Sequence, residues 1–512
     1  MSRPLVATAV LAFLVLGILP VAVMAARVDG ADLAGVFSGR TLALLGRTAL
    51  LGCGAAGLAL FLGVPFAFLV ARTELPGAAF WRLAGVLPIL LPPLVVAVSW
   101  AGMTSVRGGL ATTLVLGLCA FPLVALYAAR AFERIDARQE EAALLAGGIT
   151  AALRAELPLV MPSALFAACF AFVLAINDFA VPDYVSSIGP KWNVYADEVF
   201  ASWRSARDTG AAVAASIPLV LLTALALWPA LELRRRSLLA SLTGDFRAPA
   251  RLDLGAWRWP ALLFVLLVLG VAAFAPLGRL VWESGGGPRG FTLTNLQAAF
   301  GRALELGRAN LASSLLFAVG AAAVAVPVGL VLGHALERAG AAGRRWAPLV
   351  LVPIAVPAIL FGIGGIALWN RGVTAELYDS GWMAVLLFAG RFLPFVVLAF
   401  AAATAMLDPR LEDAARLSGA GAGRRFALIV VPSLWPTVCG AALVVFVLAM
   451  RELDAAILVP AANSTVLFRL YNAVHFGRDD FVAALALLVV CFVVAPGLLW
   501  TLFARRRLEA LP

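Results

Sequence analysis

The chain has 512 residues, 63% of them hydrophobic and 13% charged, with a formal net charge of +10. Soluble domains lie nearer half apolar and a quarter charged, so this composition excludes an ordinary soluble fold and indicates a chain that crosses a membrane many times. The apolar runs are continuous rather than alternating, which excludes a β-barrel; the positive charge is almost all arginine, with Lys191 the only lysine, and fits membrane-flanking arginines rather than a nucleic-acid surface.

The N-terminus carries Arg3 and a long apolar run from Leu5. That run is too long for the core of a signal peptide and reads as an uncleaved first span. By length, further spans centre in 44–70, 83–103, 110–129, 163–181 and 211–231. After an arginine-rich stretch they continue in 261–281, 312–336, 347–369, 383–406, 438–459 and 482–503, giving about twelve transmembrane helices. Arginines at 72, 82, 130, 134, 138 and 154, and again at 410, 416, 424 and 425, fall on one side if the N-terminus is cytoplasmic. Lys191 and Arg302 remain on the other side.

The two halves repeat one another. Val64-Pro65 matches Val326-Pro327, and Pro88-x-x-x-Pro92 matches Pro353-x-x-x-Pro357. Residues 1–236 and 259–512 are therefore expected to be two homologous halves of about six spans each, in parallel orientation, joined by a cytoplasmic linker at 237–258. The proline pairs weaken helical hydrogen bonding and read as kinks or hinges in the third and ninth spans.

The most pointed match is polar. After the fourth span, in 136–162, the chain reads Asp136-Ala-Arg138-Gln-Glu140-Glu141-Ala142-Ala143, then Gly147 and Pro158-x-x-x-Pro162. After the tenth, in 408–436, it reads Asp408-Pro-Arg410-Leu-Glu412-Asp413-Ala414-Ala415, then Gly419 and Pro432-x-x-x-Pro436. Acids suit the first turn of a helix, alanines extend it, glycine reverses the chain, and proline marks re-entry into the membrane. Each copy is a helix–turn–helix elbow with a small-residue face open to a partner. Near the outer ends of the fifth and eleventh spans sit ionisable groups: Asp178, Arg451 and Glu452. These read either as a substrate pathway or as a packing pair between the neighbours Arg451 and Glu452. Arg391, a lone charge within a span, reads as structural.

Chemistry is scarce. Cys53, Cys119, Cys169, Cys439 and Cys491 all lie in apolar runs, and His334 and His475 are the only histidines, so neither a disulfide framework nor a metal centre is expected. No phosphate-binding GxxxxGK[ST] loop exists, since Lys191 follows a proline. No metalloprotease or nucleophile-elbow motif appears either. The chain reads as a transporter without a resident cofactor rather than an enzyme.

The pattern Glu-Ala-Ala, three residues, Gly, then a spacer to Leu-Pro resembles the EAA loop of the binding-protein-dependent ABC importer permeases. The second copy keeps the family spacing with Asp413 for glutamate and Val431 for leucine; the first reaches Pro158 two residues early. The resemblance implies a type I ABC importer permease fold in the bacterial inner membrane. It also implies a cytoplasmic ATPase homodimer docked on Glu140, Glu141, Ala142, Ala143 and Gly147, and on Glu412, Asp413, Ala414, Ala415 and Gly419. An extracytoplasmic solute-binding protein would complete the system. Met450-Arg451-Glu452-Leu453, followed by Thr465-x-x-Phe468-Arg469-x-Tyr471, is similar to fused permeases of the ferric-iron type, implying iron as the solute. Thiamine and polyamine permeases share this architecture. The rival reading is a secondary transporter of the major facilitator type, also twelve spans in two parallel halves.

Overall fold

The computed structural model describes residues 3–29, 36, 39–206, 209–239, 246–288, 290–458, 460, 463–475 and 479–509. Part of the linker, 240–245, lies outside them. Among the described residues the protein is all-helical, with one isolated backbone bridge, Thr73 to Leu252, in place of any sheet. Among the described residues nine helices are long and apolar enough to cross a membrane, and three sharply bent helix pairs, each counted as one span, bring the number to twelve. Every span expected from the sequence coincides with one of them.

The third and ninth spans are broken rather than kinked. Ala78–Leu90 and Pro93–Met103 meet at 93°, and Ala341–Ala355 and Ala358–Trp369 at 92°. The cause is local. A residue before proline is sterically excluded from the helical region, and Leu91 and Val356, which precede Pro92 and Pro357, take extended ψ values of 132° and 130°. The eleventh span is also bent, by 73°, between Ala422–Ser433 and Trp435–Arg451.

The helices form two compact units that cut across the sequential halves. One comprises Gly35–Glu198 and Ile217–Gln297. In it the helices Gly39–Arg72, Gly108–Phe132 and Ala137–Ile176 pack around Phe66, Phe121 and Phe132, with alanines 59, 67, 128, 164, 167 and 171 letting the backbones close in. A β-carbon on Gly63 would lie 3.0 Å from the Phe121 carbonyl oxygen, so that crossing depends on glycine. Val265, Val268, Leu269 and Ala272, from the seventh span, complete this core.

The other unit comprises Met1–Ala34, Val199–Ser216 and Ala298–Pro512. The first span, Arg3–Ala25, packs here against helices more than three hundred residues downstream. A β-carbon on Gly390 would lie 2.1 Å from the Leu16 carbonyl oxygen, and one on Gly364 would lie 2.6 Å from that of Pro20. The first span of each sequential half thus packs with later spans of the other. Both carry a π-bulge, Leu14–Ile18 and Gly270–Phe274, followed at once by a proline-containing helix start.

Candidate functional site

Each elbow is opened by an aspartate. Asp136 accepts a hydrogen bond from the Arg138 amide at 2.9 Å, and Asp408 accepts one from Arg410 at 2.9 Å, capping donors that a helix start leaves free. Bonds from the Arg138 and Arg247 amides hold the Asp136 carboxyl below its usual range. The turn after each short helix needs a left-handed residue. Gly419, with φ of 79°, supplies it in the second elbow; in the first it is Gly148, with φ of 68°, while the expected Gly147 is extended at −174°. In the first elbow the helix resumes directly after Gly148. The second spends Ala420 and Gly421 before resuming at Ala422, then inserts a π-bulge at Phe426–Val430. The two-residue difference in spacing is absorbed there.

The leading acids of the two motifs turn inward. Glu140 is buried and pairs with the buried guanidinium of Arg72, at the end of the second span. Arg72 also lies 4.0 Å from the buried Glu156 and donates to the Ala250 carbonyl at 3.2 Å. In the second elbow Glu412 takes Nε2 of His334 at 3.2 Å and Nε of Arg338 at 2.9 Å. Burial works to raise the Glu412 carboxyl, but those bonds and the neighbouring positive charge outweigh it and hold the group below its usual range. Arg72 and His334 each stand seven residues after the matched Pro65 and Pro327. They are the same position in the repeat, one a fixed cation and the other an imidazole, whose ring also meets Phe426 edge-on at 5.6 Å.

Outward-facing positions correspond as well. Glu141, Ala142, Asp413 and Ala414 are exposed, and Ala143 and Ala415 half-buried. Two residues that the motif reading missed stand out most: Leu145 and Leu417, each two residues before the motif glycine and each 90% exposed. Their signal was their equivalent place in the two copies.

The linker is not a free tether. Arg247 pairs with Glu141 at 3.3 Å, its amide donates to Asp136 at 3.3 Å, and its carbonyl accepts from the Ala137 amide at 2.9 Å. Leu252 exchanges backbone bonds with Arg72 and Glu74, at 2.7 and 3.0 Å. Residues 247–252 therefore strap the first elbow to the end of the second span.

The three candidate pathway residues occupy chain breaks. Asp178 accepts from the Val181 amide and Glu452 from the Ala455 amide, each at 2.9 Å. Both cap a turn where a span ends. The ion partner of Glu452 is Arg391, at 3.5 Å, rather than its neighbour Arg451; Arg391 also donates to the Val356 carbonyl at the break of the ninth span. Arg391 is therefore a paired charge holding two breaks together. Arg451 ends the helix Trp435–Arg451 and is half-buried. In the first unit Asp197 sits among Asp178, Asp183 and Glu198. Burial foremost, then those like charges, push it up to about 7 against the bond it receives from Val194.

Comparison with known proteins agrees with this geometry. Residues 325–509, which contain the second elbow, match the family described as "Binding-protein-dependent transport system inner membrane component". The chain is 34% identical over 169 residues to the "Putative ABC transporter permease protein ORF1" of Streptomyces antibioticus, covering 32% of this chain and 70% of that protein. It is 28% identical over 164 residues to the "Molybdate/tungstate transport system permease protein WtpB" of Thermococcus kodakarensis (strain ATCC BAA-918 / JCM 12380 / KOD1), covering 31% and 65% respectively. With its helical spans and its elbows, the chain belongs to the binding-protein-dependent ABC transporter permeases.

Proposed function

We propose that this chain is a two-half permease that imports a small solute, with residues 1–236 and 259–512 each supplying one permease unit to a type I ABC importer. A match that spans 70% of one relative but 32% of this chain supports that reading, because it makes the relative about half as long. The N-terminus and both elbows face the cytoplasm, the linker lies on the same side, and the extracytoplasmic face receives a solute-binding protein. The observation that carries the proposal is the pair of matching elbows, each anchored inward by an acid and presenting an exposed leucine outward.

In this mechanism a homodimeric ATPase outside the chain takes one elbow in each subunit. Ala142 and Ala414 allow close approach, and Leu145 and Leu417 enter apolar pockets. ATP binding draws the two subunits together and must favour one permease conformation over the other, since equal affinity for both would move nothing. The anchors Arg72–Glu140 and His334–Glu412 pass the displacement to the ends of the second and eighth spans. Hydrolysis belongs to the partner; no residue of this chain takes part in it.

For the solute we propose ferric iron, on the likeness of the segment from Met450 to Tyr471. A molybdate-type oxyanion is the second reading, favoured by the similarity to WtpB. The acidic group of Asp178, Asp183, Asp197 and Glu198 suits a cation better than an oxyanion. The test is reconstitution in vesicles with the ATPase and binding protein encoded beside this gene. ATP-dependent uptake of radioactive iron, with cysteines at 142 and 414 crosslinking to the ATPase, supports the proposal. Uptake of molybdate instead transfers the substrate to the second reading. Proton-driven uptake by the chain alone overturns the importer.

A further inference from the structure

The unit containing Gly35–Glu198 holds a cavity of about 520 Å³, walled by span two, the second arm of the broken third span, span four, span seven, and Val185 and Ile188 after the fifth span. Its lining includes Leu114, Leu118 and Leu267 with Trp100, Thr104 and Arg107, and almost none of its accessible surface is polar. A polar solute would find no partners along such a wall. Leu114 and Leu267 are 38% and 58% exposed, so the cavity is a groove open to the membrane.

The groove also has direction. Arg107 immediately precedes the helix Gly108–Phe132 and stands at one end of a span. Leu118 lies eleven residues along it, about 16 Å away, roughly half the hydrocarbon thickness of a bilayer. The groove therefore runs from a membrane surface to the midplane, the depth of a single leaflet. At the surface end the Arg107 guanidinium donates to the carbonyls of Ala101 and Thr104, at 2.9 and 2.6 Å, which orients it without neutralising its charge. Among the described residues no carboxylate forms an ion pair with it. Trp100, beside it, is the residue type that marks the headgroup boundary.

We propose that this groove binds one anionic phospholipid, its acyl chain along Leu114 and Leu118 and its phosphate at Arg107. The charge fits the headgroup, the apolar wall fits the chain, and the depth fits a leaflet. The lipid would brace the broken third span against spans four and seven.

The test is native mass spectrometry of the full chain released from nanodiscs of equal parts phosphatidylglycerol and phosphatidylethanolamine. The native chain should retain phosphatidylglycerol in preference, by about tenfold, because both phosphates can accept from Arg107 but only phosphatidylethanolamine adds an ammonium that the guanidinium repels. Arg107→Gln should abolish the preference and Arg107→Lys should keep most of it. Leu114→Trp, which fills the groove, should lose the retained lipid altogether, whereas Leu50→Trp, on an exposed face outside it, should not. Ala111→Phe repeats the filling in case Leu114→Trp folds poorly. A native chain carrying no lipid, or both filled variants retaining as much as the native chain, overturns the acyl site. Equal retention of the two lipids by the native chain overturns the role of Arg107.

Discussion

Replacing Glu140 with glutamine keeps its size and removes its charge, leaving Arg72 buried at 2% exposure with its close anion gone. Breaking a buried ion pair from one side costs about 3–5 kcal/mol. Glu156, 4.0 Å from Arg72, and the Ala250 carbonyl offset part of this, so we take the lower bound, about 3 kcal/mol. At about 1.4 kcal/mol per factor of ten, the population of the opened elbow should rise about a hundredfold. A cysteine at Ala137, only 2% exposed, reports that opening in a chain with the five native cysteines removed. Under conditions where closing outpaces labelling, its maleimide rate should rise in proportion to the open population. Replacing the whole cluster, Arg72→Met with Glu140→Leu and Glu156→Leu, should return the rate close to that of the parent, because no unpaired charge is left. An increase below about threefold for Glu140→Gln would refute the claim that this pair holds the elbow.

Leu145→Asp and Leu417→Asp should each weaken ATPase association in pull-downs by at least about thirtyfold, as expected for anchor residues, whereas Glu141→Gln should change it less than about threefold because its pair with Arg247 is exposed. Gly390→Ala puts a β-carbon 2.1 Å from the Leu16 carbonyl oxygen, and the backbone shift should cost about 1–3 kcal/mol, read as faster proteolytic release of the N-terminal segment. Asp197 holds its proton to about pH 7 in the folded chain but releases it near pH 4 when unfolded. The folded form thus binds more protons between those values, so stability should fall as pH rises through that window and level off above it. Asp197→Asn should remove the slope in melting temperatures taken from pH 5 to 8.

The spans were legible because length and apolarity alone decide them, and the elbows because their polar residues repeat. The broken third and ninth spans were half legible: Pro88, Pro92, Pro353 and Pro357 announced weakened helices, but the right-angle turns come from Leu91 and Val356 being driven into extended backbone. Glu140 and Glu412 look like surface acids when read locally, since their partners Arg72 and His334 lie 68 and 78 residues away. Only the repeat alignment, which sets Arg72 against His334, carried a hint. The pairing of Arg391 with Glu452 was hidden for the same reason. Where the first and seventh spans pack could not be read, because a helix apolar on all sides has no preferred face in its sequence.

The placement of those two spans has a consequence for how the molecule is made. Arg3–Ala25 leaves the ribosome early, yet its seat around Gly364 and Gly390 is synthesised some 340 residues later. At ordinary translation rates that is a wait of about 20 to 70 seconds in the bilayer with its packing face unclaimed. A chain cut within 240–245 would give two fragments, each lacking a helix that the other holds. Neither fragment should mature alone, and the pair should recover only when inserted together, so carrying both on one chain secures the stoichiometry and timing that separate pieces would have to find by collision.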